Sequence, residues 1–331
     1  QNVYVGAGAG RTANATGESN NTFVGYQSGM FSQTGVNNTA VGAYTFRNGP
    51  LTGNSNVVMG NRSAQSGTSL SNVVAMGDNS ASCTTTADKN TSMGNGTLYK
   101  NTTGSCNIAL GYEAACGVTT GGLNIAIGLC TMQATNTYTA GYNVVIGTFA
   151  GCAITTGQIN TLVGKEAGKC ITSGCYNVAM GCQAGCGITT ATHTVAIGSE
   201  ALLKNASGNN VSIGAYSLSN VITGTMNTAV GFSALQSVNA GINYNTAVGY
   251  QAGNNITTGS NNMVLGRGST ASSATVSNEI TLGDSSIAAI RSQVQSISSL
   301  SDKRDKANIK DLKVGLDFIN DLKPVTFDWA A

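Results

Sequence analysis

Charge is the first thing this sequence has little of. Asp, Glu, Lys and Arg make up 9% of its residues, against about a quarter in an ordinary soluble domain. Proline occurs twice, histidine once and tryptophan once in 331 residues. Scarce proline suits a chain whose backbone N–H groups must nearly all join a hydrogen-bond ladder. A single histidine, His193, and the lack of any Cx2C pair give a zinc site little support, and no cofactor-binding loop is recognisable. The net charge of +2, with no basic patch before residue 303, argues against nucleic acid or a membrane surface as partner. No apolar run reaches the roughly 18 residues that span a bilayer, so membrane insertion is not expected. No signal peptide is recognisable at Gln1, which falls almost on a repeat, so the sequence is expected to start mid-protein.

What is abundant is glycine, 44 residues in all, and it is periodic. The stretch Asn245-Thr-Ala-Val-Gly-Tyr-Gln-Ala-Gly253 recurs in related form at Asn21–Gly29, Asn38–Phe46 and Asn227–Leu235. Its central glycine is matched by seventeen markers from Gly6 to Gly283, among them Gly181, Gly231 and Gly249, spaced by 16 to 19 residues and most often by 17. Such a fixed period is the signature of a repeat array. Charge marks where the array stops: residues 1–290 hold nine basic and eight acidic side chains, and the last 41 residues hold seven and six.

Numbered from the marker glycine, position −1 is Val, Ile, Leu or Met in every copy, and −3 is Val, Ile or Thr except at Met263. Position −2 is usually small. This alternation predicts a short strand with −1 and −3 on one face, and a narrow core built from those two positions with an apolar residue near +7. Position −4 is Asn in 14 of 17 copies, as at Asn245; the exceptions are Val73, Thr194 and Glu279. Asparagine tolerates a left-handed corner, and a column of its amides can bond from turn to turn. The marker glycine is expected where the chain bends or passes close to a neighbour. Position +3 is always Ala, Ser or Thr, which implies a cramped site. Segments such as Ile154-Thr-Thr-Gly157 and Ile256-Thr-Thr-Gly259 predict a second short strand per coil. The fold class is therefore an all-β parallel β-solenoid of about 17 coils, roughly 80 Å long at about 4.8 Å per coil. So thin a coil predicts association with further chains.

Nine cysteines lie between residues 83 and 186. Cys152, Cys170 and Cys186 fall at +5, +6 and +5 of consecutive coils, Cys170 and Cys175 share a coil, and so do Cys182 and Cys186. These five are candidate disulfide partners in an extracellular rod, with small apolar packing as the alternative. Paired threonines such as Thr85-Thr86, Thr119-Thr120 and Thr257-Thr258 raise an ice-binding face as a third-ranked function. Tyr26, Tyr112, Phe232 and Tyr250 directly follow marker glycines, where an exposed ring could stack on a sugar.

The unit N-[TV]-[AV]-[VIM]-G-x-x-[AS] closely resembles the head repeats of trimeric autotransporter adhesins. That resemblance implies a left-handed parallel β-roll in a homotrimer over about residues 1–290. The tail differs. Ser299-Ser-Leu-Ser-Asp-Lys-Arg-Asp-Lys-Ala-Asn-Ile309 and Gly315-Leu-Asp-Phe-Ile-Asn-Asp-Leu-Lys-Pro-Val-Thr-Phe-Asp-Trp329 resemble the start of the endosialidase-type intramolecular chaperone. Domains of that family end many bacteriophage tail fibres, trimerise the nascent fibre and then cut themselves off. The resemblance implies a Ser301/Lys306 dyad flanked by Asp302, with the hydroxyl as nucleophile and the amine as base. The family domain is longer, so only its beginning is expected here. Lys313–Leu322 reads as a short helix ahead of Pro324.

The organisation expected is a shaft over 1–283, a strand-rich neck over 284–300, and the start of a self-cleaving chaperone over 301–331. The function expected is a structural and adhesive virion fibre of the tail-fibre type. It would contact a host-surface receptor, with a glycan as one candidate, and mature by cleavage at Ser301. The rival is a cell-surface trimeric adhesin outside any virion.

Overall fold

A computed structural model describes residues 1–12, 20–134, 138–205, 207–237 and 241–291. Residues 1–286 form one unit and 287–331 another. The first is an all-β parallel solenoid. It holds seventeen three-residue strands, from β1 (Val3–Val5) and β2 (Thr22–Val24) to β17 (Ile280–Leu282). Each strand pairs in parallel with the next at one unbroken register: Thr161 faces Val178, and Val163 faces Met180. Every strand spans positions −3 to −1, and no helix occurs among the described residues.

The strand faces the opposite way from expectation. Positions −3 and −1 do share a face, but that face is outward: none of their side chains is buried in any of the seventeen strands. The middle residue points in and is buried everywhere except at Tyr4 and Thr281 in the two terminal strands. Volume explains the inversion. The lumen must also hold the −4 side chain and positions +3, +4 and +7, so the strand can contribute only one residue, and in eight coils that is alanine. Positions +4 and +7 share the remaining space by compensation. Where +7 is Ile154, Ile171, Ile188 or Ile256, position +4 is glycine, and a Cβ on Gly168 would stand 2.8 Å from Ile171 Cδ1. Where +7 is Asn101 or Asn205, position +4 is Leu98 or Leu202.

The −4 asparagines are internal staples. Asn245 Oδ1 accepts from the backbone N–H (3.0 Å) and the Nδ2 (3.1 Å) of Asn262 in the next coil. Its own Nδ2 donates across the lumen to the Gly259 carbonyl (2.9 Å) and to Asn227 Oδ1 (3.3 Å). Beyond the corner, the marker glycine is required twice over. Gly249 has φ +138°, and a Cβ there would lie 2.4 Å from the carbonyl oxygen of Gly266 in the next coil. Gly231 and Gly181 are under the same constraint, at 2.3 Å from the Gly249 oxygen and 2.6 Å from the Gly198 carbonyl.

Among the described residues the expected second strand of the coil is not formed. Its place is taken by hydrogen-bonded bends, with isolated bridges at Ser32–Leu51, Val118–Tyr138 and Thr225–Asn243. One carbonyl commonly accepts more than one amide there, as Thr172 does from Thr155 (2.9 Å), Thr156 (3.2 Å) and Gly157 (3.1 Å), and that convergence bends the chain too sharply for a ladder. The core divides into a cluster from Phe23 to Ala81 and a longer one from Leu98 to Ala271. Between them Ser80 Oγ meets Ser92 Oγ (2.8 Å) and Thr97 Oγ1 (2.9 Å) inside the lumen. Residues 284–291 carry a turn and no strand; 292–331, including the expected helix, lie outside the described residues.

Candidate functional site

The outward strand face is the feature least at ease in water. It carries only Val, Ile, Leu, Met and Thr, without one charge from β1 to β17. Three residues at about 3.3 Å and seventeen coils at about 4.8 Å make it roughly 10 by 80 Å, or about 800 Å². Ordinary monomers expose apolar patches of about 300–600 Å² at most. Val57, Met59, Met93, Met180, Val248 and Met263 are its most open members away from the two terminal strands.

Aromatic side chains flank this face on the marker-glycine side. Tyr26, Tyr112, Phe232 and Tyr250 are all exposed. Phe232 stacks on Tyr250 (5.5 Å between centroids) and meets the edge of Tyr216 (5.7 Å), while Tyr26 meets Tyr44 edge-on (5.3 Å). The guanidiniums of Arg47 and Arg62 lie 4.9 and 5.9 Å from the Tyr44 ring centre. Farther round the coil, the missing side chain of Gly96 opens a recess of about 320 Å³ between Asn79, Tyr99, Lys100 and Glu113.

The +8 threonines are occupied with the fold. Thr85, Thr102, Thr119, Thr155 and Thr257 each donate Oγ1–H to a backbone carbonyl of the next coil at 2.8–3.2 Å, and they are half-buried. Their +9 partners Thr86, Thr103, Thr120, Thr156 and Thr258 stay exposed.

All nine cysteines are free thiols. Cys170 and Cys186 come together in adjacent coils, where their thiols hydrogen-bond; burial first, and the Cys170 thiol second, push Cys186 up to about 11. Cys152 donates to the Lys169 carbonyl (3.6 Å), and Cys175 accepts from the Gln158 amide (3.3 Å). Cys182 is exposed. Burial, then the Glu113 carboxylate, raise Cys116 to about 11. His193 stacks on Tyr176 at 5.0 Å, and among the described residues no group of three His, Cys, Asp or Glu side chains is placed to hold a metal.

Ser301, Asp302 and Lys306 lie outside the described residues. Comparison with known families places residues 301–331 in a match to the family described as chaperone of endosialidase. No curated protein matches the chain. A parallel β-solenoid followed by a segment similar to that chaperone fits a tail-fibre-like or endosialidase-like protein. Sequence reasoning missed the outward stripe, since it assigned those residues to the core. The signal was the size of the middle residue: position −2 is alanine in eight coils, too small to be the outward member of a strand whose larger residues fill a narrow core.

Proposed function

We propose that this chain is the shaft of a homotrimeric, adhesive virion fibre whose C-terminal chaperone drives trimer assembly and then releases itself by cleavage at Ser301. The observation that carries the reading is the charge-free outward face, too large an apolar strip for a single solvated rod. Three copies turning that strip toward a common axis would hide it. The similarity of residues 301–331 to the endosialidase chaperone supports the same assembly. Ser301 supplies the nucleophilic hydroxyl and Lys306 the base, in a single-turnover attack on a neighbouring peptide carbonyl. The fibre acts outside the cell, and the Gly96 recess and exposed aromatics are where a glycan receptor would rest.

Light scattering of the purified chain tests the assembly. We expect a trimer, and a monomer from Ile146→Glu/Val163→Glu, which puts carboxylates into the strip; a wild-type monomer refutes the trimer. Mass spectrometry of Ser301→Ala in the longer precursor tests the chemistry, where chain lengths equal to wild type eliminate the Ser301 mechanism. The similarity of the repeat unit to adhesin heads keeps a cell-surface adhesin as the second reading. A virion-attachment module upstream of residue 1 would favour the fibre, and a secretion signal would favour the adhesin.

A further inference from the structure

The corner residue at −5, just before the staple asparagine, is left-handed in all sixteen coils from the second onward, with φ between 56° and 64°. Asparagine is the residue that adopts this backbone most readily after glycine. Asn20, Asn37, Asn72, Asn209, Asn261 and Asn278 occupy it accordingly, and two pairs also bond along the rod: Asn20 Nδ2 to Asn37 Oδ1 (3.3 Å) and Asn261 Nδ2 to Asn278 Oδ1 (2.8 Å). The middle of the rod departs from this. Coils eight to eleven carry Leu123, Tyr142, Ile159 and Tyr176, and coils fourteen and fifteen carry Met226 and Tyr244. All six are exposed, Tyr142 by 61% and Tyr244 by 59%. A β-branched isoleucine in a left-handed corner is strained, and these exposed side chains pack into no core that would repay it, although Tyr176 does stack on His193.

The −5 column borders the outward strand face. Toward the end of the rod, Tyr244, Asn261 and Asn278 form one wall of a groove of about 280 Å³ whose other wall is Thr246, Met263 and Ile280 at position −3. The ridge therefore widens the apolar strip on one flank in coils eight to eleven and again in coils fourteen and fifteen, with His193 and Asn209 between the two runs.

We propose that this ridge is the seam along which a second copy of the chain closes, an inference that rests on the trimer reading above. Area argues for it. In a three-fold assembly each strip of about 800 Å² faces two neighbours, leaving roughly 400 Å² for each, about half of the roughly 800 Å² per partner of a standard stable interface. A flank of large apolar side chains next to the strip supplies more. Continuity and chemistry agree, since the ridge is apolar and uncharged like the strip it extends. The stretches beyond it, Asn20 to Cys106 with Lys89 among them, and Asn261 with Asn278, mark where neighbouring copies stand farther apart.

The test uses substitutions that suit the backbone. In the full chain, Leu123→Asn/Tyr142→Asn/Ile159→Asn/Tyr176→Asn puts at four corners the residue that Asn209 already places in the same column. For a lone rod the change relieves strain, so the melting temperature holds or rises. For a seam it strips the contact: trimer dissociation on dilution, followed by light scattering, should increase at least tenfold and the melting temperature should fall. Far-UV circular dichroism confirms that the coils are intact. A variant trimer as tight as wild type, with an equal or higher melting temperature, overturns the seam, and that includes the case in which the ridge meets some other partner. A monomeric wild type in the same dilution series sinks the trimer reading instead, so the two failures are distinguishable.

Discussion

A single asparagine per coil satisfies groups that the lumen would otherwise leave unpaired. Asn245→Ala removes an acceptor from the buried Asn262 amide and a donor from the Gly259 carbonyl. At about 1–3 kcal/mol for each buried group left unpaired, the expected loss is about 3 kcal/mol, measured by denaturant unfolding. A loss under about 1 kcal/mol would mean that water enters and replaces the side chain. The thiols give a residue-scale prediction about pH. Cys116 and Cys186 rise from 9.0 to about 11 in the folded chain. A thiol whose pKa is raised by folding contributes stability that is present below about pH 9 and is lost as pH climbs toward 11. Unfolding midpoints should therefore decline between those values and decline less in Cys116→Ser/Cys186→Ser. At pH 8, iodoacetamide should label exposed Cys182 well ahead of Cys116, as peptide mass mapping would report.

A coil is solved as a volume problem, and two solutions recur: glycine at +4 with isoleucine at +7, or leucine at +4 with asparagine at +7. Gly168→Leu alone overfills the lumen against Ile171, and Ile171→Asn alone leaves a void with a polar group in it. Together they reproduce the arrangement of Leu98 and Asn101, whose Nδ2 reaches the Gly104 carbonyl at 2.9 Å. The double variant should recover about 2 kcal/mol relative to the sum of the singles; additive losses would show that the pairing is coincidental. The same volume rule limits what could be read from sequence. Alternation shows that −3 and −1 share a face, as Val178 and Met180 do, but parity alone does not say which face is inside. Both faces of Val-Ala-Met are apolar, so pattern could not decide; the small size of Ala179 was the clue. The marker glycines and the −4 corner were legible because one residue type serves every coil. The −5 column was not, because Asn20, Ile159 and Tyr244 share only a backbone angle. The tail was legible as a contiguous signature, whereas a second strand was expected where converging amides produce a bend.

Across the whole rod each coil touches only its neighbours, so stability should add up one interface at a time. The hydroxyl plug of Ser80, Ser92 and Thr97 interrupts the apolar lumen, and native-state hydrogen exchange should show two cooperative units meeting near coil six. A single protection level from Phe23 to Val264 would reject that division. The assembly should also tolerate salt. A charge-free face has no ion pairs to screen, so raising sodium chloride from about 0.05 to about 1 M should leave the trimer as tight or tighter; a tenfold weakening would point to an interface elsewhere.

The parallel register has a mechanical consequence. Bonds between coils, such as Thr161 N–H to the Asn177 carbonyl (2.9 Å), run along the rod rather than across it. Tension applied end to end therefore loads them in series, and one coil peels away before the next bears the pull. Each rupture would free about 17 residues, or roughly 55 Å of extended chain. Sideways bending is different, because it stretches one wall of many coils at once and meets them all in parallel. A single-molecule pulling trace of the rod should be a sawtooth with that step, yielding easily along its length while remaining stiff against deflection.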